Sequence, residues 1–260
     1  MSPHDSVADT FEEYAERAES EPNDGEDGDE PRFTEWCRAR AEPDWTGATD
    51  HRFTEELHAG TIDDAVFRRY LVQDYAFLET LIGTFGHALG DAPSMAATSR
   101  LADFLGTLTD EEDDYFERSF DTLEVPAAER TDPTLQPVTR ALQDLLERAA
   151  REGGYAETLA VLVPAEWIYR SWAGKGTELP ARDYLAEWVT IHDNPAFDEF
   201  VSWLRTELDR EGKAASNRRQ QRLTRLFERT VELEVAFFDA AFETPASETK
   251  NAVTDGGGQW

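Results

Sequence analysis

Apolar residues recur at three- and four-residue intervals along this chain, and runs of alternating β-branched residues are absent. That period belongs to amphipathic helices, in which side chains three and four positions apart share a face. The spacing predicts helices over residues 33–42, 50–59, 63–89, 95–121, 134–151, 155–174, 181–192, 195–210 and 215–243. Breakers separate the periodic stretches, most clearly Gly153 with Gly154 and Asn194 with Pro195. Thr61 and Asp63 stand where a side-chain oxygen can accept from the free amides that start the helix over 63–89. Residues 1–30 are mostly polar and end in an acidic run, so they are expected to form a disordered or weakly helical tail. Residues 246–260, with Gly256, Gly257 and Gly258, are expected to be a second, flexible tail. Between the tails, residues 31–245 are expected to form one domain of the all-α class.

Three of the predicted apolar stripes carry an acid at their centre. In the helix over 63–89 the stripe runs Phe67, Tyr70, Leu71, Asp74, Phe77, Leu78, Leu81 and Phe85. In the helix after Gly154 it runs Leu159, Leu162, Val163, Glu166, Tyr169 and Ala173, and in the last helix Phe227, Val231, Glu234, Phe238 and Ala241. A carboxylate so placed points into the core, where leaving it unpaired costs several kcal/mol. Pairing with a buried arginine or capping of a neighbouring helix accounts for any one of them, and Arg170 is the arginine nearest in sequence to Glu166. Three converging acids suit general acid–base work or recognition of an amine-bearing ring, because burial raises a carboxyl pKa towards neutrality. Tyr169 lies one turn from Glu166 on the same face, within hydrogen-bond reach, with simple core packing as the alternative.

Histidines and tryptophans are less decisive. His192 closes the helix over 181–192, where it serves either the site or only as a charge favourable to a helix C-terminus. His51 and His87 read as structural. Trp167, Trp172 and Trp188 read as core, although one aromatic could stack on a flat ligand. A glycine-rich phosphate loop, a paired CxxC and an HExxH are all missing from the sequence, and no metal or cofactor is expected.

Charge sharpens the list of partners. Lys and Arg number 25 against 55 Asp and Glu, a formal net charge of −30. Such a surface repels nucleic acid and anionic membranes, so neither is an expected partner. Its simplest reading is a dense carboxylate coat suited to a halophilic, high-salt cytosol, where the Debye length falls to about 3 Å at 1 M salt; interaction with basic proteins is the alternative. Cys37 is the lone cysteine, so neither an intramolecular disulfide nor a cysteine metal cluster can form, which fits a reducing compartment. The first residues lack a cationic stretch followed by an apolar run, and no segment approaches the roughly 20 apolar residues of a membrane helix. A cytoplasmic location is expected.

The acid-bearing stripes also carry a family resemblance. His51, Phe53, Gly60, Thr61, Phe67, Tyr70, Gln73, Asp74, Phe77 and Leu78 together resemble the N-terminal signature of the TenA (thiaminase-2) family. Pro164, Ala165, Glu166 and Tyr169 resemble its central motif, Trp188, His192 and Phe197 its next helix, and Glu234, Phe237 and Phe238 its terminal acidic segment. The four motifs span about residues 33 to 243. The resemblance implies a haem-oxygenase-like helical bundle, often a homotetramer, that salvages thiamine breakdown products. It implies hydrolysis of an aminopyrimidine, 4-amino-5-aminomethyl-2-methylpyrimidine or its formyl derivative, to the hydroxymethylpyrimidine. The buried acids and the resemblance together give an expectation in which Asp74, Phe77 and His192 bind substrate and Glu166, Glu234 and Tyr169 carry the chemistry, Glu166 and Glu234 shuttling protons and Tyr169 orienting Glu166. The chain departs from the family pattern at Ala165, where the nucleophilic cysteine is missing, and at Phe77, where the cysteine-bearing branch has Tyr. A cysteine-free branch carries Glu in this region, which Glu166 fits. Two other readings stand beside this one: a pyrimidine-binding or regulatory protein without catalysis, and a non-haem di-iron oxidase of the same fold. The oxidase needs inward histidines, for which Glu79 and His87 offer an awkward spacing of eight.

Overall fold

A computed structural model describes residues 7–20, 30–176 and 178–243, and every regular element among them is helical. The elements are α1 (Phe11–Ser20), α2 (Phe33–Arg40), α3 (Asp44–Thr49), α4 (Arg52–His58), α5 (Asp64–Gly90), α6 (Met95–Thr107), a π-helical turn (Leu108–Glu112), α7 (Asp113–Thr122), α8 (Ala127–Thr131), α9 (Pro137–Glu152), α10 (Tyr155–Ala173), α11 (Asp183–His192), α12 (Pro195–Ala214) and α13 (Asn217–Ala241). The centre is α10, buried on every side from Tyr155 to Ile168. A helix that is apolar all round has no solvent face to offer and belongs inside. Helices α5, α9, α12 and α13 surround it.

Local chemistry fixes the ends. Asp63 accepts from the amide of Ala65 at 2.8 Å and caps α5, as its position suggested. Asn194 accepts from Phe197 N at 3.0 Å, and Pro195 opens α12 where its missing N–H costs nothing. His51 is structural: its Nδ1 accepts from Phe53 N at 3.0 Å and starts α4. Asp209 on α12 accepts from Thr34 N at 2.7 Å and from Arg32 Nε at 2.6 Å, tying down the start of α2. The two helices approach closely because position 212 is glycine, whose missing Cβ would lie 2.3 Å from the Phe33 ring.

Three differences from the sequence expectation stand out. Part of the supposed N-terminal tail is helix: Phe11 of α1 is buried edge-on against Phe33 at 5.5 Å, and Trp36 Nε1 donates to Ala8 O at 2.9 Å. The helical body therefore starts before residue 31, because one aromatic anchor holds an otherwise polar segment. The expectations for residues 1–6, 21–29 and 244–260, the C-terminal tail included, lie outside the described residues. Helices α3 and α8 have six and five residues, too few to show a period, and α3 is held by Trp45 packing on Trp167 at 4.6 Å. Finally, the continuous helix expected over 95–121 is interrupted by the π-helical turn. No described helix is long and apolar enough to cross a membrane.

Candidate active site

One cavity of about 350 Å³ opens between α5, α6, the π-helical turn, α10, α11, α12 and α13. All six residues singled out from the sequence line it: Asp74, Phe77, Glu166, Tyr169, His192 and Glu234. Leu78, Leu81, Phe104, Leu108, Phe197 and Phe200 supply apolar wall. Its size and lining suit a small flat ligand held by a few polar groups.

Each acid arrives on a helix for the reason its stripe implied. Packing of Phe67, Leu71, Leu78 and Phe85 into the core turns Asp74 the same way, and the burial of α10 does so for Glu166. Phe227, Val231 and Phe238 do so for Glu234, which is only 2% exposed; Glu166 is 7% exposed. Neither Glu166 nor Glu234 meets a hydrogen-bond donor or a cation among the described residues. Arg170, the sequence neighbour that might have neutralised Glu166, pairs instead with Asp198.

Asp74 is better supported. Tyr169 Oη donates to Asp74 Oδ1 at 3.5 Å and shares a 2.8 Å hydrogen bond with Tyr70 Oη. This corrects the expectation that Tyr169 orients Glu166: one turn of separation put both on a common face, but the hydroxyl reaches across to α5. Gln73, next to Asp74, faces away from the cavity. Its Oε1 accepts from Gln136 N at 2.8 Å and Thr139 Oγ1 at 2.7 Å, and its Nε2 donates to Thr134 O at 3.2 Å. The glutamine thus pins the segment leading into α9 against α5.

Burial dominates the electrostatics. It pushes Asp74 up to about 7, opposed by the Tyr70 and Tyr169 hydroxyls. Burial and then the Asp74 charge push Glu234 up to about 8. Glu166 goes well above the usual carboxyl range, first by burial and then by Glu112, Glu234 and Asp74. His192 goes the other way, held down to about 4 by burial. Its Nδ1 lies 3.0 Å from Trp188 O, and since a carbonyl oxygen only accepts, the proton sits on Nδ1 and Nε2 is an acceptor. The neutral ring does not act as a charged helix terminus.

Residues 38–244 match the model of the TENA/THI-4/PQQC family. The chain belongs to that family. It is 23% identical over 206 residues to the aminopyrimidine aminohydrolase of Halalkalibacterium halodurans, covering 78% of this chain and 92% of that protein. It is 25% identical over 189 residues to the aminopyrimidine aminohydrolase of Bacillus subtilis, covering 72% and 78%. Among solved structures, a TenA homologue from P. horikoshii OT3 superposes with a TM-score of 0.72 at 21% identity, covering 81% of this chain and 98% of that one. A TenA family transcription regulator from Silicibacter sp. TM1040 gives 0.73 at 22% identity, covering 82% and 97%. The fold is the all-α, haem-oxygenase-like bundle that the resemblance implied.

For this TENA/THI-4/PQQC chain, Ala165 lines the cavity where the resemblance puts a cysteine. Cys37 does not replace it: that thiol is fully buried beside Thr224 Oγ1, 3.6 Å away, and burial pushes its pKa up. Sequence reasoning missed Glu112, the last residue of the π-helical turn, which lines the same cavity and is raised to about 8 by burial and then by Asp74. Its signal was present, since Leu101, Leu108, Glu112 and Tyr115 form an apolar stripe with an acid in it, like the other three. It was obscured by the surrounding acids Asp110, Glu111, Asp113 and Asp114, which read as a solvated run. Trp188, read as core, also lines the cavity, stacked on Tyr115 at 4.9 Å. Glu79 and His87 are exposed and lie off the cavity. Among the described residues no group of three or more His, Cys, Asp or Glu is placed to hold a metal ion.

Proposed function

We propose that this chain is an aminopyrimidine aminohydrolase of thiamine salvage, which converts 4-amino-5-aminomethyl-2-methylpyrimidine, or its formyl derivative, to the hydroxymethylpyrimidine. The observation that carries the reading is a partly apolar cavity lined by Asp74, Glu166 and Glu234, none of which is paired with a guanidinium among the described residues: Arg100 on the lining pairs with Glu199 and Arg170 with Asp198. Naming of the Halalkalibacterium halodurans and Bacillus subtilis relatives as aminopyrimidine aminohydrolases supports the same chemistry.

In this reading Asp74, steadied by Tyr169 and Tyr70, accepts hydrogen bonds from the exocyclic amino group and protonated ring nitrogen of the pyrimidine. Phe77 and Trp188 bound the ring, and His192 offers Nε2 as an acceptor. Glu166, whose carboxyl burial holds well above the usual range, donates to the departing amine as the carbon–nitrogen bond breaks. Glu234 accepts a proton from the water whose oxygen bonds to the methylene carbon. One proton leaves water and one reaches the amine, so the pair returns to its starting state by a proton transfer from Glu234 to Glu166. Ala165 excludes a covalent cysteine step at this position. The assembly that goes with this reading is a homotetramer, and light scattering that gives a monomer would overturn that part.

Ammonia release from purified protein given the aminomethylpyrimidine tests the activity. A second reading, a pyrimidine-binding protein without catalysis, draws on Ala165 in place of a nucleophile. It predicts ligand-induced thermal stabilisation with no ammonia, and that result would replace the first reading.

A further inference from the structure

The aminohydrolase reading, on which this inference rests, leaves Glu112 without a task. Glu112 lines the cavity from the π-helical turn, together with Asp74 from α5, Glu166 from α10 and Glu234 from α13. A π-helical turn is rare, costs regular hydrogen bonding, and recurs where a side chain must be re-aimed at a site. Among the described residues Glu112, Glu166 and Glu234 have no hydrogen-bond donor and no cation beside them, and the last two are 7% and 2% exposed. Glu112 is half-buried, and unpartnered carboxyls as deep as Glu166 and Glu234 carry an unmet need for a donor. Arg100, the guanidinium on the lining among the described residues, stands 40% exposed and lies 3.8 Å from Glu199. His192 is neutral, and among the described residues no cation pairs with Glu112, Glu166 or Glu234. The occupant that completes such a site is a cation.

We propose that Glu112 is the specificity-determining residue that reads the charge of the exocyclic methylamine, pairing with a primary ammonium on a flat heteroaromatic ring. Asp74 then holds the ring, Glu112 anchors the ammonium, Glu234 takes the proton from water, and Glu166 gives its proton to the ammonia once the carbon–nitrogen bond has broken. An acylated amine, such as the formyl derivative, is neutral and cannot form the pair. The alcohol product is neutral as well. Hydrolysis breaks the carbon–nitrogen bond, forms a carbon–oxygen bond from water and carries the positive charge away as ammonium, so the anchor is lost on turnover and product leaves.

The test compares 4-amino-5-aminomethyl-2-methylpyrimidine, its N-formyl derivative and the hydroxymethylpyrimidine by calorimetric binding, with kcat/KM for the first two. The wild-type protein is expected to bind the free amine at least about tenfold more tightly than either neutral compound, as befits a charge-assisted hydrogen bond. Glu112→Gln should remove that preference by about tenfold in both readouts, with a cooperative thermal transition showing that the variant folds. Glu112→Met, apolar and of similar length, serves in its place if the Gln variant does not fold. A wild-type protein that binds the amine and the formyl compound equally overturns the proposal with no variant needed, and so does a preference that survives in the folded variant. Either result leaves the aminohydrolase reading standing if ammonia is still released. Wild-type protein that neither binds nor converts any of these pyrimidines overturns both.

Discussion

Asp74 accepts from Tyr169, which in turn bonds Tyr70, so the carboxylate and two hydroxyls move as one unit. Asp74→Ala removes the acceptor for the ring, and a hydrogen bond involving a charged group is worth about 1.5–3 kcal/mol. Aminopyrimidine binding should therefore weaken by roughly tenfold or more in titration calorimetry, and unchanged affinity would remove Asp74 from recognition. Glu234→Gln keeps the shape and loses the proton acceptor, so ligand should still bind while ammonia release is lost; unchanged turnover would take Glu234 out of the chemistry. These acids also set a pH dependence of stability. Asp74 is raised to about 7 and Glu234 and Glu112 to about 8, chiefly by burial, against about 4 in an unfolded chain. Between those limits the folded state holds protons that the unfolded state has released. Their stabilising contribution is thus fully present below about pH 4 and is lost as pH rises through 7 to 8. The melting temperature should fall from pH 5 to pH 8, and Glu234→Gln, which stays neutral throughout, should flatten that slope. A slope identical in the variant would show that Glu234 does not carry one of these protons.

At the scale of helices, the contact between α2 and α12 depends on Gly212. An added Cβ would sit 2.3 Å from the Phe33 ring, and that ring also receives Phe11 of α1. Gly212→Ala gains helix propensity, worth up to about 1 kcal/mol, but overpacking a filled core costs about 1–3 kcal/mol. Because the clash is with a buried ring rather than the tip of a flexible side chain, the net change should destabilise, lowering the melting temperature by a few degrees in scanning calorimetry. A rise would mean that α2 can slide away at no cost. The break between α6 and α7 teaches something different. Periodicity runs unbroken from Leu101 to Tyr115, so pattern alone gives a single helix. The π-helical turn admits an extra residue per turn, which no period detects, and it delivers Glu112 to the cavity.

For the whole molecule, the net charge of −30 sets a repulsion that folding brings closer together. Many of the ion pairs seen are exposed, such as Arg118 with Glu187 and Arg229 with Glu232, and pairs of that kind contribute about 0–1 kcal/mol each. Screening should relieve the repulsion more than it weakens those pairs. The melting temperature is therefore expected to rise from 0.1 M towards about 1 M KCl, over which the Debye length shrinks from about 10 Å to about 3 Å. A fall would show that the surface pairs, rather than the excess of acid, dominate.

By itself the sequence determined the all-α class, the long helices and the inward direction of Asp74, Glu166 and Glu234, because each of these is a local property of period and face. Only the tertiary structure decided that the three acids share one cavity, that Arg170 turns away to Asp198, and that Tyr169 serves Asp74 rather than Glu166. It likewise decided that α1 packs on the core and that Glu112 joins the site from a π-helical turn. A helical period states which face a side chain takes. Partners lie from 28 to 175 residues away in the chain, and which of them meets it is settled only when separate helices pack and fix their relative rotation and height.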